Sequence, residues 1–376
     1  MAAVGAGGGH EADTMTLAGL PAGTPPGGRT AAAPDRDPVG GGLEVEEHRV
    51  TVAAEFTRMV GSGELDLPLP GSGATRGRWQ ALTAIAERDL ALARLCEGHT
   101  DALAILAELA ALGVPGVPAV VTGAAWGVWA AEPPGAVLRA TRDADGGWRL
   151  HGVKPYCSGA RVCTDALVTA RDGELRRLFA VSTGPGIHPV PGSWPAAGMA
   201  ASDTLDLEFD GVPAVAVGEP NAYLERPGFQ HGGIGVAACW YGGARTVAAT
   251  LLRTAARYGP EPHTLAHLGA VDARLQAVEA LLDRAAGELD ADPQDRDGGA
   301  ALRSMRVRAA TEDAATAVLH HVGRALGAAP LGHDRRHART VTDLTVYLRQ
   351  YHGERDLARL GEKLTQSAPP EDGSDR

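Results

Sequence analysis

Aromatic side chains are scarce, at 4% of 376 residues. With so few large rings, packing contacts must come from the plentiful Ala, Leu, Val and Gly. Cysteine is scarce too. Cys96, Cys157, Cys163 and Cys239 show no Cys-x-x-Cys spacing, which excludes the common thiolate zinc motifs and leaves buried thiols in a reducing compartment as the expectation. No basic block stands out and the formal net charge is −11, which argues against nucleic acid as a partner. Long apolar runs are missing. The stretch 102–131 is broken by Glu108, Pro115 and Pro118, and 232–252 carries Arg245 and several glycines, so neither reads as a membrane span. No basic segment leads into an apolar run at the N-terminus, so no signal peptide is expected and a cytoplasmic location is. Gly-x-Ser-x-Gly, Walker and His-Glu-x-x-His motifs are also missing. The pairs His320-His321 and His333/His337 lack a carboxylate or thiol to complete a site, so no metal is expected.

What is present divides into blocks. Residues 1–43 are rich in Gly, Ala and Pro without apolar periodicity, and read as a disordered tail. Residues 44–117 read as a small helical domain. Helices are expected over about 46–60, from 75 or 76 to about 95, and from His99 to about 113, where Leu103, Leu106, Leu109 and Leu112 keep helical spacing. Residues 118–225 change character to short apolar runs parted by Asp-Gly turns, as at Asp172-Gly173 and Asp210-Gly211. This is a β-domain. Residues 226–365 return to helix, with segments at about 232–258, 265–289, 300–326 and 340–364 that form a four-helix bundle. Residues 366–376 read as a second tail. The fold class is therefore α+β: a helical domain, an all-β domain and a C-terminal four-helix bundle.

Within the β-domain, Trp148–Asp165 organises the rest. Tyr156 and Ser158 stand two apart in an extended stretch and so share a face. One offers a flat ring and the other a hydroxyl, a pairing suited to a planar, heteroatom-bearing ring such as a flavin.

The block order and several motifs resemble the acyl-CoA dehydrogenase family, over about Val50 to Gly361, and the resemblance implies that the middle β-domain is barrel-like. Trp129-Ala130-Ala131-Glu132-Pro133-Pro134-Gly135 is similar to the family's Met-Thr-Glu-Pro-x-x-Gly segment, which meets the flavin edge and the thioester. Val153-Lys154-Pro155-Tyr156-Cys157-Ser158-Gly159 is similar to Lys-x-Trp-Ile-Thr-Asn. Gly198–Thr204 resembles Gly-x-Arg-x-Ser-x-Thr, with Ala200 in place of the Arg. The resemblance implies FAD bound by Trp129, Glu132, Tyr156 and Ser158. Gly135 and Ser202 would face the substrate. Arg257, with Gly327 in a turn like the family's Gly-Gly-x-Gly, would hold the dinucleotide end from a neighbouring subunit, so a homodimer or homotetramer is implied. The Phe-Gly that normally follows the Arg is replaced.

The base is the main departure. The family's Tyr-Glu-Gly-Thr reads here Tyr351-His352-Gly353-Glu354. An imidazole accepts protons near neutral pH, which makes His352 the candidate base. Glu354 would point about 200° away on a continuous helix, and substitutes only if the helix stops at Gly353. The leading expectation is FAD-dependent α,β-dehydrogenation of an acyl thioester, CoA- or carrier-protein-bound, with the electron acceptor open. The alternative is a flavin monooxygenase or N-hydroxylase of the same fold, with His99, His352 and Ser158 around the flavin. A third reading is a non-catalytic member that partners an oxidoreductase.

Overall fold

The computed structural model describes residues 41–366, except positions 134, 136 and 260. The two expected tails fall almost wholly outside these residues. Helix α1 (Gly41–Ser62) is followed by α2 (Thr75–Arg88) and α3 (Leu90–Ala111). The second helix stops earlier than apolar spacing alone indicates, and the third starts nine residues before His99. Asp89 is the cause. It is extended (φ −162°, ψ 128°), and its carboxylate accepts the Leu92 N–H at 3.0 Å. That satisfies one orphan donor of a new helix. His48 of α1 binds the same carboxylate at 2.7 Å.

The middle segment forms seven strands: β1 (Trp126–Trp129), β2 (Leu138–Arg142), β3 (Trp148–Cys157), β4 (Asp165–Asp172), β5 (Leu175–Ser182), β6 (Ile187–Pro189) and β7 (Leu205–Val217). Strand β4 pairs with β5, β5 with β7, β7 with β3 and β3 with β2. A single parallel pair, Arg139 with Arg171, returns β2 to β4. The sheet thus closes on itself, as the barrel-like expectation requires, while β1 and β6 each pair on one side only, with β4 and β7. Strand β3 is longer than its apolar pattern indicates, because a bulge between Lys154 and Cys157 carries it past Pro155. Proline lacks a ladder donor and is tolerated at bulges.

A short α4 (Ala222–Glu225) leads into α5 (Gly228–Tyr258), α6 (Pro262–Ala291) and α7 (Ala300–Leu326). Small residues let α2 and α5 approach closely. A Cβ at Gly242 would stand 2.4 Å from the Thr83 carbonyl oxygen and 2.8 Å from the Ala86 Cβ. The last expected helix is broken. After α8 (Ala329–His333), α9 (Arg335–Tyr347) ends in a 3-10 turn at Leu348–Gln350, and α10 (Glu354–Gln366) restarts after Gly353 at φ 54°. Among the described residues no helix is long and apolar enough to cross a membrane.

Candidate active site

The β-domain, α3, the starts of α5 and α7, and the α9–α10 junction enclose a cavity of about 1190 Å³. Ordinary small-molecule pockets run to about 300–1,000 Å³. This one has room for a large planar ligand and a second molecule beside it.

Tyr156, Ser158, Glu132, Ser202 and His352 all line this cavity. Tyr156 reaches it by a different route from strand alternation. Its φ is 59°, inside the bulge, a left-handed conformation that costs a non-glycine residue about 1–3 kcal/mol and clusters at functional sites. The Tyr156 N–H donates to the Asp206 carboxylate at 3.1 Å. Its ring, half exposed, meets Trp194 edge-on at 6.2 Å. Ser158 is more tightly fixed. Its hydroxyl lies 2.9 Å from the Thr204 hydroxyl and accepts from Arg94 Nε at 3.2 Å. Thr204 bonds Ser202 at 2.8 Å, and Ser202 donates to the Met199 carbonyl at 2.7 Å. Such a chain orients each hydroxyl before any ligand arrives.

Glu132 is clamped by Arg176 at 2.8 Å and Arg171 at 3.0 Å. Burial would raise its pKa, but Arg176, Lys154 and Arg171 outweigh burial and hold the carboxyl below its ordinary value. His352 sits at the rim, largely exposed, with Nδ1 3.4 Å from Asp356.

Other expected residues lie elsewhere. Trp129 is buried behind the cavity wall, and its indole N–H donates to the Ser158 carbonyl at 2.9 Å. It positions Ser158 and does not line the cavity. His99 faces away. Its Nδ1 accepts the Trp126 N–H at 3.1 Å, its ring abuts Phe56, and burial pushes its pKa down to about 4. Glu354 opens α10 on the solvent side, because the break at Gly353 turns it outward. Gly135 lines a smaller neighbouring pocket of about 250 Å³ beside Lys154 and Thr169. Arg257 lies about 30 Å beyond the cavity-lining Val236 along α5, and Gly327 is similarly far beyond Met305 along α7, at about 1.5 Å per residue. Both belong to the opposite end of the bundle.

Motif reading missed the charged wall. Arg94, Glu97 and Asp101 on α3, Arg226, Arg308, and Arg349, Arg355 and Arg359 near α10 all line the cavity. Arg94 pairs with Glu97. Burial raises the Glu97 pKa. The i, i+3 and i, i+4 spacing of Arg94, Glu97, Gly98 and Asp101 was the available signal, since it puts them on one helix face. Nothing in the sequence said which way that face turns. One buried polar atom on a cavity-lining side chain, Arg226 Nε, makes no hydrogen bond among the described residues, whereas the Tyr347 hydroxyl meets the Cys239 thiol. Orphans of this kind are costly unless a ligand meets them.

No protein-family model matches the chain, and no curated protein matches it in sequence. Solved structures do match. KijD3, in complex with FMN and dTDP-3-amino-2,3,6-trideoxy-4-keto-3-methyl-D-glucose, superposes with a TM-score of 0.70 at 21% identity, over 88% of this chain and 93% of that one. A butyryl-CoA dehydrogenase from Megasphaera elsdenii superposes at 0.64 and 17% identity, over 86% and 98%. The chain has the acyl-CoA dehydrogenase fold. Within that fold it is also similar to a nitrososynthase from Micromonospora carbonacea var. africana, with a TM-score of 0.67 and 21% identity over 89% and 98%. The three-block architecture and barrel-like sheet expected from the sequence are those of this fold.

Proposed function

We propose that this protein is a flavin-dependent monooxygenase that oxygenates a small heteroatom-bearing substrate. One observation carries the reading. The side chain at the position of a dehydrogenase's α-proton base, His352, is 54% exposed at the rim and faces Asp356, so it opens to water instead of lying against an enclosed α-carbon. The cavity carboxylates Glu97, Glu132 and Asp356 are each held by arginine. Among the described residues, Asp101 is the cavity carboxylate left without an arginine. Similarity to a methanesulfinate monooxygenase from Pseudomonas fluorescens and a dibenzothiophene monooxygenase from Paenibacillus sp. A11-2 supports this reading.

The residues present fit a flavin: a half-exposed ring at Tyr156, the fixed Ser158 hydroxyl, and the unbonded Nε of Arg226. When bound and reduced, a flavin supplies two electrons that activate dioxygen, one atom going to substrate and the other to water. The protein does the rest. Tyr156 and Trp194 flank the ring. Ser158, held by Arg94 and Thr204, offers its hydroxyl to the ring edge. Trp129 keeps the Ser158 backbone in place. His352 passes a proton between cavity and solvent through Nδ1.

The test is single turnover. Flavin-loaded protein is reduced without oxygen, mixed with amine and thioether substrates, and exposed to labelled dioxygen. The expected result is one labelled oxygen atom in the product. Bleaching of oxidised flavin by an acyl thioester under anaerobic conditions would instead favour α,β-dehydrogenation. That second reading has one observation behind it: Asp101 lines the cavity without an arginine hydrogen-bonded to it among the described residues.

A further inference from the structure

Lysine is nearly absent from this chain. Of its 35 Lys and Arg residues, only Lys154 and Lys363 are lysine. An arginine stays protonated in proteins, whereas a buried lysine amine can shed its proton and act as a nucleophile. Lys154 is placed for that. It lies on β3, is 1% exposed, and lines the smaller pocket of about 250 Å³. Ala131, Glu132 and Pro133 line both this pocket and the large cavity, so the two share a wall.

The Lys154 Nζ donates to the Thr169 carbonyl at 2.7 Å and to the Thr169 hydroxyl at 2.9 Å. Those two acceptors use both N–H bonds of a neutral amine. An ammonium carries a third N–H, and among the described residues no third acceptor bonds Nζ. The carboxylate that lines the pocket, Glu132, is taken by Arg176 at 2.8 Å and Arg171 at 3.0 Å. A buried ammonium short of an acceptor is disfavoured against the neutral amine. Burial pushes the Lys154 pKa down to about 8, and Arg176 and Arg171 add to this against the pull of Glu132 and Cys157. At pH 7 roughly a tenth of the amine is then neutral.

We propose that this pocket takes a small aldehyde, which Lys154 captures as an imine. The neutral Nζ attacks the carbonyl carbon and the N–C bond forms. Both amine hydrogens end on the carbonyl oxygen, which leaves as water as C=N closes. The proton first shed by the ammonium returns to the imine nitrogen, whose one N–H can keep the Thr169 carbonyl as its acceptor. No electrons are transferred, so no oxidant or reductant is needed. Drug-sized pockets run to about 300–1,000 Å³, so a pocket of about 250 Å³ limits the ligand to a few carbon atoms. Val137, Leu138, Val153 and Pro155 give it an apolar wall. The capture needs no flavin and stands apart from the monooxygenase reading.

The experiment treats the full chain with glyoxylate and cyanoborohydride at pH 7 and locates the reduced adducts by peptide mass spectrometry. Lys363, near the end of α10, is the internal reference, since both lysines meet the same reagent. Lys154 should be labelled at least about tenfold faster than Lys363 in the folded protein, because far more of its amine is neutral. In urea-unfolded chain the two should react alike. Val137 is an exposed residue of the pocket wall, and Val137→Phe should fill the pocket and bring Lys154 down to the Lys363 rate or below. Equal rates in the folded wild type, no adduct at Lys154, or a preference that survives unfolding each overturn the proposal. Wild-type labelling of Lys154 in folded Val137→Phe does so too. The wild-type comparison between folded and unfolded chain decides the matter even if Val137→Phe fails to fold. None of these results touches the monooxygenase reading, which the labelled-dioxygen experiment decides.

Discussion

Replacing Asp343 by Asn should stabilise the protein, and more so as pH rises. Asp343 sits on α9, only 5% exposed, and its carboxylate accepts the Met199 N–H at 2.5 Å. That bond ties the bundle to the turn carrying Met199, which lines the cavity. Burial pushes its pKa from 3.8 to about 6, against the opposing pull of the Met199 bond, His48 and Arg339. The sign follows from linkage. A carboxyl whose pKa is raised on folding favours the folded state below the unfolded value and loses that advantage as pH climbs through the folded value. Above pH 6 the folded protein therefore holds a carboxylate that burial disfavours. A rise of this size costs about 3 kcal/mol at pH 8 and about half as much at pH 5. An Asn side chain keeps the Oδ1 acceptor for Met199 and never ionises. Urea unfolding at pH 5 and pH 8 reads the difference directly. Equal shifts at both pH values, or a variant less stable than wild type at pH 8, would refute the reasoning.

Three further outcomes are expected. Gly242→Ala should cost about 1–3 kcal/mol or more in the same denaturation assay, because its methyl would overlap the Thr83 carbonyl where α2 meets α5. Ser158→Ala should weaken flavin binding about three- to tenfold in a fluorescence titration, since the hydroxyl fixed by Arg94 and Thr204 is lost. His352→Ala should lower turnover about a hundredfold or more while leaving the unfolding midpoint nearly unchanged, because the side chain is largely exposed.

The sequence by itself determined the block order and the fold. Helical periodicity, alternating strands and Asp-Gly turns are local signals, and each reports what its own few residues can bury. The same local reading picked Tyr156, Ser158, Ser202, Glu132 and His352, which the fold brings to one cavity. It placed His99 beside them and Trp129 among the ligand contacts, and the structure puts both behind the wall. It also read one helix through Asp89 and another through Gly353. In each case a single residue decided: a carboxylate free to cap in one, a left-handed glycine in the other.

Only the tertiary structure decided what the cavity is made of. Arg94, Glu97 and Asp101, Arg308, and Arg355 come from three separate stretches of chain, and nothing in any one stretch says that its polar face turns inward. Whether a buried arginine is matched depends on which carboxylate another element brings within reach. That is a property of long-range packing, which a one-dimensional pattern does not carry.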